Sequence, residues 1–114
     1  MSSEIIITPN FKKEAKPLLK KYPSLKSELI GLQQKLPDSP FDGTPLGGNA
    51  FKIRLAVKSK GKGKSGGMRI ITYVDINISV EDLTQIFFLS IYDKSETDSI
   101  SRDEIRRLIT GIKE

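Results

Sequence analysis

The 114-residue sequence contains no cysteine and no histidine. Without cysteine, the chain has neither a disulfide framework nor a thiolate nucleophile. Without histidine, it lacks the commonest transition-metal ligand and the side chain that most often acts as a general base near neutral pH. The sequence also shows no carboxylate cluster suited to Mg²⁺. We therefore expect no metal site and no cofactor, and any catalysis must come from Lys, Arg, Tyr, Ser, Thr or carboxylate side chains.

Long apolar runs are also missing. No run of about 18 apolar residues occurs, so we expect no membrane-spanning helix and no membrane partner. The first residues show no basic region followed by an apolar one, which predicts that there is no secretory signal peptide. The hydrophobic content of 37% is enough for one core. These features predict a single domain over residues 1–114 that acts in the cytoplasm.

Positive charge is concentrated in one part of the chain. The formal net charge is +5, and residues 43–74 contain seven Lys and Arg side chains but no Asp or Glu, so the rest of the chain is slightly acidic overall. The seven cations are Lys52, Arg54, Lys58, Lys60, Lys62, Lys64 and Arg69. A local positive field of this kind attracts polyanions and holds phosphate groups.

Hydrophobic periodicity predicts an α+β domain with the element order β-α-α-β-β-β-α. We expect an antiparallel-rich sheet that carries an N-terminal two-helix hairpin and a C-terminal helix. Pro17 is expected to kink or restart the first helix, and Ser24 to cap the second. The strands are predicted at residues 5–7, 50–57, 69–76 and 84–94, the helices at 11–22, 24–36 and from 101, and the main loops at 37–49 and 58–67.

The strand at residues 50–57 predicts a basic surface. Its alternation sends Lys52 and Arg54 to the same side of the sheet, and Arg69 begins the strand that follows in the hairpin. An ordinary solvated sheet face is the alternative explanation for one alternating strand. The absence of carboxylates among these cations favours a functional surface, because structural charges normally come in mixed signs.

The last predicted strand adds two candidates to this surface. If Phe87, Leu89 and Ile91 face the helix hairpin, then Tyr92 and Lys94 point the other way, towards the cations. Tyr92 could stack on a base or donate a proton. Buried tyrosines with a satisfied hydroxyl are nevertheless more common than catalytic ones.

The Gly-rich segment 58–67 is a candidate RNA-binding loop. Glycine permits close approach of the backbone to phosphate, and the lysines supply charge. A mobile, solvated hairpin tip is the alternative, and the segment lacks the spacing of a P-loop. The candidate RNA ligands in this segment are Lys58, Lys60, Lys62 and Lys64.

The element order and four segments give the chain a family resemblance. The segments KKYPSL, FKIRLA, GKGKSGGMRIITY and LSIYDKSE resemble those of RelE/ParE superfamily toxins of type II toxin–antitoxin systems, most strongly the RelE/HigB-type branch. That resemblance implies a ribosome-dependent mRNA endonuclease, or mRNA interferase. Such a toxin cleaves mRNA in the ribosomal A site by attack of a ribose 2′-OH on the adjacent phosphate, and a cognate antitoxin neutralises it.

The resemblance also implies roles for individual residues. Lys52 matches one of the family's paired basic residues and is the candidate general base. Arg54 and Arg69 are the candidate ligands of the phosphate and of the transition state. Lys94 falls close to a further basic position, as a phosphate ligand or leaving-group acid. Some members use a tyrosine near the C-terminus, which this chain lacks, so either Tyr92 or a lysine is left as the base.

Two other functions are compatible with these patterns. A ParE-like toxin would inhibit DNA gyrase by binding it, without nuclease chemistry, and would not need Lys52, Arg54 and Arg69 to converge. A non-catalytic nucleic-acid-binding module would use its lysines only for salt-dependent affinity. Since one fold can host several functions, the decision depends on the site.

Overall fold

The structure, a computed structural model, describes residues 2–61, 63, 66–77, 83–97 and 99–113. In these residues, five strands form one sheet and three α-helices pack against it. The strands are β1 (Ser2–Ile7), β2 (Thr44–Gly47), β3 (Ala50–Leu55), β4 (Met68–Asn77) and β5 (Leu83–Asp93), and the helices are α1 (Pro9–Lys21), α2 (Leu25–Lys35) and α3 (Arg102–Lys113). The predicted α+β class is confirmed.

The sheet is mixed rather than purely antiparallel. Its strand order is β1-β5-β4-β3-β2, with β1 parallel to β5 and the other neighbours antiparallel. β5 lies between two partners and has helices over both faces, which explains its continuous apolar sequence. None of the helices in the described residues is long and apolar enough to cross a membrane.

Each face of the sheet has its own apolar core. On one face, the hairpin of α1 and α2 covers a cluster that includes Phe11, Leu25, Ile53, Phe88 and Ile91. On the other face, α3 covers a second cluster, which includes Ala50, Ile71, Tyr73, Leu89, Tyr92 and Ile105. We call these the hairpin face and the α3 face.

A β-bulge changes which side chains of β5 reach each face. Ile71 of β4 pairs with Ser90, but the next residue, Thr72, pairs with Phe88, so Leu89 is an extra residue in β5. The prediction that Phe87 and Leu89 face the hairpin is therefore wrong, and both pack on the α3 face. Beyond the bulge the alternation is in phase again with the prediction, as the faces of Ile91 and Tyr92 show.

Side chains from α1 hold the bulge in place. Asn10 Nδ2 donates to the Leu89 carbonyl at 2.9 Å, and Ser90 Oγ donates to Glu14 Oε1 at 2.7 Å. Asn10 also donates to Glu14 Oε1 at 2.9 Å, which links the two contacts. β1 pairs with β5 only as far as Phe88, and on that side of β5 Asn10 and Glu14 of α1 contact the next three residues.

Three local predictions are corrected. The predicted loop at residues 37–49 contains the edge strand β2, where Pro45 is tolerated because an edge strand need not donate on both sides. α1 continues through Pro17, which is exposed, so water can reach the carbonyl that loses its helical partner. The Ser24 hydroxyl makes no capping bond to the backbone of α2 and instead donates to Glu28 at 3.0 Å.

The first part of the Gly-rich loop packs against α2. Residues Lys58–Lys60 form a 3₁₀ turn, in which the Lys58 amide donates to Glu28 Oε2 at 2.8 Å. The Ser59 amide donates to Ser24 Oγ at 3.0 Å. These bonds hold the turn against α2, whereas Lys62 and Lys64 lie outside the described residues, and mobility of the loop stays a prediction.

Candidate active site

A row of three polar side chains crosses the α3 face. Arg54 of β3 lies directly opposite Arg69 of β4, and Arg69 lies directly opposite Tyr92 of β5. Directly opposed residues have Cβ atoms roughly 5 Å apart, so the three side chains leave the sheet side by side. Like charges in this arrangement repel each other, and an anion placed beside them relieves that repulsion.

Lys52 lies two residues before Arg54 on the same face of β3. It lines a cavity of about 190 Å³ together with Tyr92. The structure thus brings Lys52, Arg54, Arg69 and Tyr92 to one surface, which is the arrangement that the sequence predicts. These side chains come from three adjacent strands, so the sheet register holds them in place.

Arg69 is the most buried cation of this row. Only 4% of the residue is exposed, and its Nη1 donates to the Met68 carbonyl at 3.2 Å. Arg54 is exposed and Lys52 half-buried. Burial reduces screening by water, so Arg69 exerts a stronger field on a nearby anion than an exposed cation does.

The Tyr92 hydroxyl is buried at the end of the row. Within the described residues it has no hydrogen-bond partner, and 8% of the residue is exposed. Burial raises the pKa of Tyr92, while the Arg69 charge pulls that pKa in the opposite direction and is the weaker of the two effects. The phenol therefore stays protonated near neutral pH, which suits a hydrogen-bond donor better than a general base.

Lys94 follows the end of β5 and is half-buried. Its amide donates to the Gly67 carbonyl at 3.1 Å, so its backbone lies beside the last residue before β4. This contact ties the end of β5 to the end of the Gly-rich loop. A Cβ atom at Gly67 would lie 2.1 Å from the Leu55 carbonyl oxygen, so only glycine allows this close approach.

The loop lysines separate into different environments. Lys58 is exposed, as an RNA ligand would need to be. The environment of Lys60 differs from that expected of an RNA ligand, because its ammonium is buried on the hairpin face and lies 2.7 Å from Asp93 Oδ1. The side chains of Lys60 and Asp93 are only 5% and 1% exposed.

The pKa values of this pair show that it is ionised. Burial alone would lower the pKa of Lys60, but the hydrogen bonds and the electrostatic interactions with Asp93 and Tyr22 together outweigh burial and raise it. Burial would raise the pKa of Asp93, but hydrogen bonds from Lys60 and Ser95 hold that pKa far below its usual range. Lys60 and Asp93 are therefore both charged near neutral pH.

Arg102, the first residue of α3, is a candidate that the sequence analysis missed. It is exposed and lines the cavity beside Lys52 and Tyr92, as well as a second cavity of about 250 Å³. Among the described residues, Arg106 and Arg107 form ion pairs with Asp103 and Glu104, and no ion pair involves Arg102. A cation in the first turn of a helix is unfavourable because it opposes the helix dipole, and this feature of the sequence could have identified Arg102 as a candidate.

A larger cavity of about 570 Å³ lies elsewhere, between α1 and α2. Its walls include Phe11, Leu19, Leu29 and Ile30, with lysines among the other lining residues. It contains none of the residues of the Arg54–Arg69–Tyr92 row. Lys52 and Lys94, the candidate proton-transfer residues, do not line it either, so size alone does not identify the candidate active site.

The fold and the basic α3 face define a small α+β protein suited to binding a polyanion. The family model of the RelE toxin of the RelE/RelB toxin–antitoxin system matches residues 6–111. The chain therefore belongs to the RelE toxin family, and the predicted superfamily is confirmed. Toxins of this family act in toxin–antitoxin pairs and are generally translation inhibitors that cleave mRNA. Assignment to the HigB-type branch stays a prediction.

Proposed function

We propose that this protein is a cytoplasmic toxin that stops translation by cleaving mRNA in the ribosomal A site, without a metal ion. The convergence of Lys52, Arg54, Arg69 and Tyr92 on the α3 face is the observation that supports this proposal most strongly. Three of these four side chains are cationic, as recognition of a phosphodiester requires. A cognate antitoxin is the expected second partner.

The proposed reaction is an internal transesterification. A base takes the proton of the ribose 2′-OH, the 2′-oxygen bonds to the adjacent phosphorus, and the bond from phosphorus to the 5′-oxygen breaks. The 5′-oxygen leaves with a proton from an acid, so the products carry a 2′,3′-cyclic phosphate and a 5′-hydroxyl. The transition state carries extra negative charge on the non-bridging oxygens.

Each residue of the site has a place in this scheme. Arg54 and Arg69, side by side across β3 and β4, bind the non-bridging oxygens. Lys52 accepts the 2′-OH proton when its side chain is the neutral amine, and Lys94, as the ammonium, binds phosphate or protonates the leaving oxygen. Tyr92, protonated near neutral pH, donates a hydrogen bond to the phosphate and does not serve as the base.

Arg54 gives the cleanest test because it is exposed and its loss should leave the fold intact. In a reconstituted assay with ribosomes carrying mRNA in the A site, Arg54→Ala should slow cleavage about 10²–10³-fold, as loss of one donor to a transition-state oxyanion does. Arg107→Ala is the matched control, since Arg107 is an exposed arginine that pairs with Glu104 on α3. Equal rates for the two variants would contradict the proposed site.

A second experiment, in cells, distinguishes the other functions. In cells that express the toxin, labelled precursors should show loss of protein synthesis before loss of DNA synthesis. Early loss of DNA synthesis would instead indicate a gyrase inhibitor of the ParE type. Binding to RNA that weakens with salt, without cleavage on ribosomes and without growth arrest, would indicate a non-catalytic nucleic-acid-binding module.

A further inference from the structure

A buried polar cluster lies behind the candidate active site, on the hairpin face. Lys60 Nζ donates to Asp93 Oδ1 at 2.7 Å, and Tyr22 Oη donates to Asp93 Oδ2 at 3.0 Å. Ser95 donates to Asp93 Oδ1 twice, from its amide at 3.0 Å and from its hydroxyl at 2.7 Å. The Lys60 ammonium also lies 4.9 Å from the centre of the Tyr22 ring, in cation–π contact. We call Tyr22, Lys60, Asp93 and Ser95 the anchor cluster.

The anchor cluster joins three segments that are distant in sequence. Tyr22 is the C-cap that follows α1, Lys60 ends the 3₁₀ turn that starts the Gly-rich loop, and Asp93 ends β5. A buried ion pair adds little net stability over an apolar pair of the same shape, because both charges lose their hydration. A role in fixing geometry therefore explains this pair better than a role in stability alone.

Asp93 is flanked by two residues of the proposed site. Tyr92 precedes it and points to the α3 face, and Lys94 follows it. The Asp93 carbonyl accepts bonds from the Glu96 and Thr97 amides at 3.0 and 2.9 Å, which shapes the turn after β5. The contacts of the Asp93 carboxylate and carbonyl thus fix the backbone between Tyr92 and Lys94.

We propose that Lys60 and Asp93 are positioning residues, which hold the end of β5 so that Tyr92 stays in line with Arg69 and Arg54. This inference rests on the proposed function, because it assigns these two residues to the same cleavage reaction. They act through the backbone and touch no substrate. Lys60 is thereby moved from the RNA-binding set to the scaffold of the site.

The two roles for Lys60 predict opposite effects of Asp93→Asn on kcat/KM. If the ion pair positions the site, Lys60→Met and Asp93→Asn should both lower kcat about tenfold or more and leave KM nearly unchanged. If Lys60 were an RNA ligand, Lys60→Met would raise KM, and Asp93→Asn, which removes a negative charge, would lower it. Steady-state cleavage on programmed ribosomes, at a temperature where circular dichroism shows each variant to be folded, measures both constants.

A nearby surface pair provides the matched control. Lys21 Nζ lies 3.2 Å from Glu96 Oε1, and both side chains are more than half exposed. Lys21→Met removes the same charge from the neighbourhood of the same turn, and should leave kcat and KM unchanged. Wild-type kcat in both Lys60→Met and Asp93→Asn would overturn the positioning role even if the wild type cleaves mRNA as proposed.

A second readout does not depend on cleavage. In ¹H–¹⁵N spectra, Asp93→Asn should shift the amide signals of Tyr92 and Arg69, whereas Lys21→Met should leave them in place. If Lys60→Met fails to fold, the double variant Lys60→Met/Asp93→Asn removes both charges and takes its place. Unshifted amide signals of Tyr92 and Arg69 in Asp93→Asn would overturn the inference. If these signals shift but the wild-type protein cleaves no mRNA, only the proposed function is overturned.

Discussion

Replacing Lys60 by methionine should destabilise the protein by about 3 kcal/mol, the lower end of the cost of breaking a buried ion pair. Methionine keeps most of the buried aliphatic chain and removes the ammonium 2.7 Å from Asp93. The carboxylate, 1% exposed, would then be buried without its counter-charge. Hydrogen bonds from Tyr22 and Ser95 remain, which is why we expect the lower end of the range.

Denaturant unfolding at neutral pH measures this loss. In thermal unfolding, the midpoint Tm should fall by about 12 °C, since a domain of this size loses about 4 °C per kcal/mol. Lys21→Met, which breaks the exposed pair with Glu96, should change stability by no more than about 0.5 kcal/mol. Adding Asp93→Asn to Lys60→Met removes the uncompensated charge and should recover more than half of the loss.

The size of the effect decides whether the reasoning holds. A surface ion pair contributes about 0–1 kcal/mol, so a loss within about 1 kcal/mol for Lys60→Met would show that the pair is solvated in solution. The same conclusion would follow if the double variant were no more stable than Lys60→Met. Either result would refute the buried ion pair as the contact that anchors the end of β5.

Three further perturbations test other parts of the structure. The folded-state pKa of Asp93 lies below its unfolded value of about 3.9. The stability that its carboxylate contributes is therefore present above about pH 5 and is lost as the pH falls. In acid unfolding, the stability of Asp93→Asn should decrease less with falling pH than that of the wild type. Gly67→Ala should destabilise the protein by about 1–3 kcal/mol or more in denaturant unfolding, since its Cβ would meet a β3 carbonyl, whereas Gly111→Ala in α3 meets nothing within 4 Å and should stabilise it by about 0.5–1 kcal/mol. Arg102→Ala should lower the salt dependence of RNA binding by about 0.7 in log–log slope, while the ion-paired control Arg107→Ala should leave the slope unchanged in a fluorescence titration.

The regular elements of this fold follow from sequence periodicity. Alternation in residues 50–57 correctly gave the faces of Lys52 and Arg54, because β3 is a regular strand with one apolar face. Periodicity failed at β2, whose proline and glycine are typical of a loop. That strand exists because its backbone pairs with β3, a tertiary contact that local composition does not encode.

The environment of Lys60 could not be predicted in the same way. In the sequence it is one of four lysines in a Gly-rich segment, and nothing local distinguishes it from Lys58. Its role depends on Asp93, 33 residues further along the chain, and on the turn that brings the two together. Arg102 could have been predicted, since a cation in the first turn of a helix opposes the helix dipole and so suggests another role.

The bulge in β5 explains how one strand carries both the site and its anchor. Strict alternation from Phe87, which packs on the α3 face, would place Tyr92 on the hairpin face and Asp93 beside the arginines. The carboxylate would then lie on the face of the arginine row instead of binding Lys60. The extra residue Leu89 reverses the phase, so that Tyr92 joins the arginine row and Asp93 joins the anchor cluster.

Two sets of contacts therefore keep β5 in the register that forms the site. Asn10 and Glu14 hold the bulge at Leu89 and Ser90, and Lys60 holds the strand end at Asp93. Between these two points, a slip of one residue would have to break hydrogen bonds at both and bury an unpaired carboxylate. The basic α3 face thus depends on polar contacts made by the opposite face of the same strand.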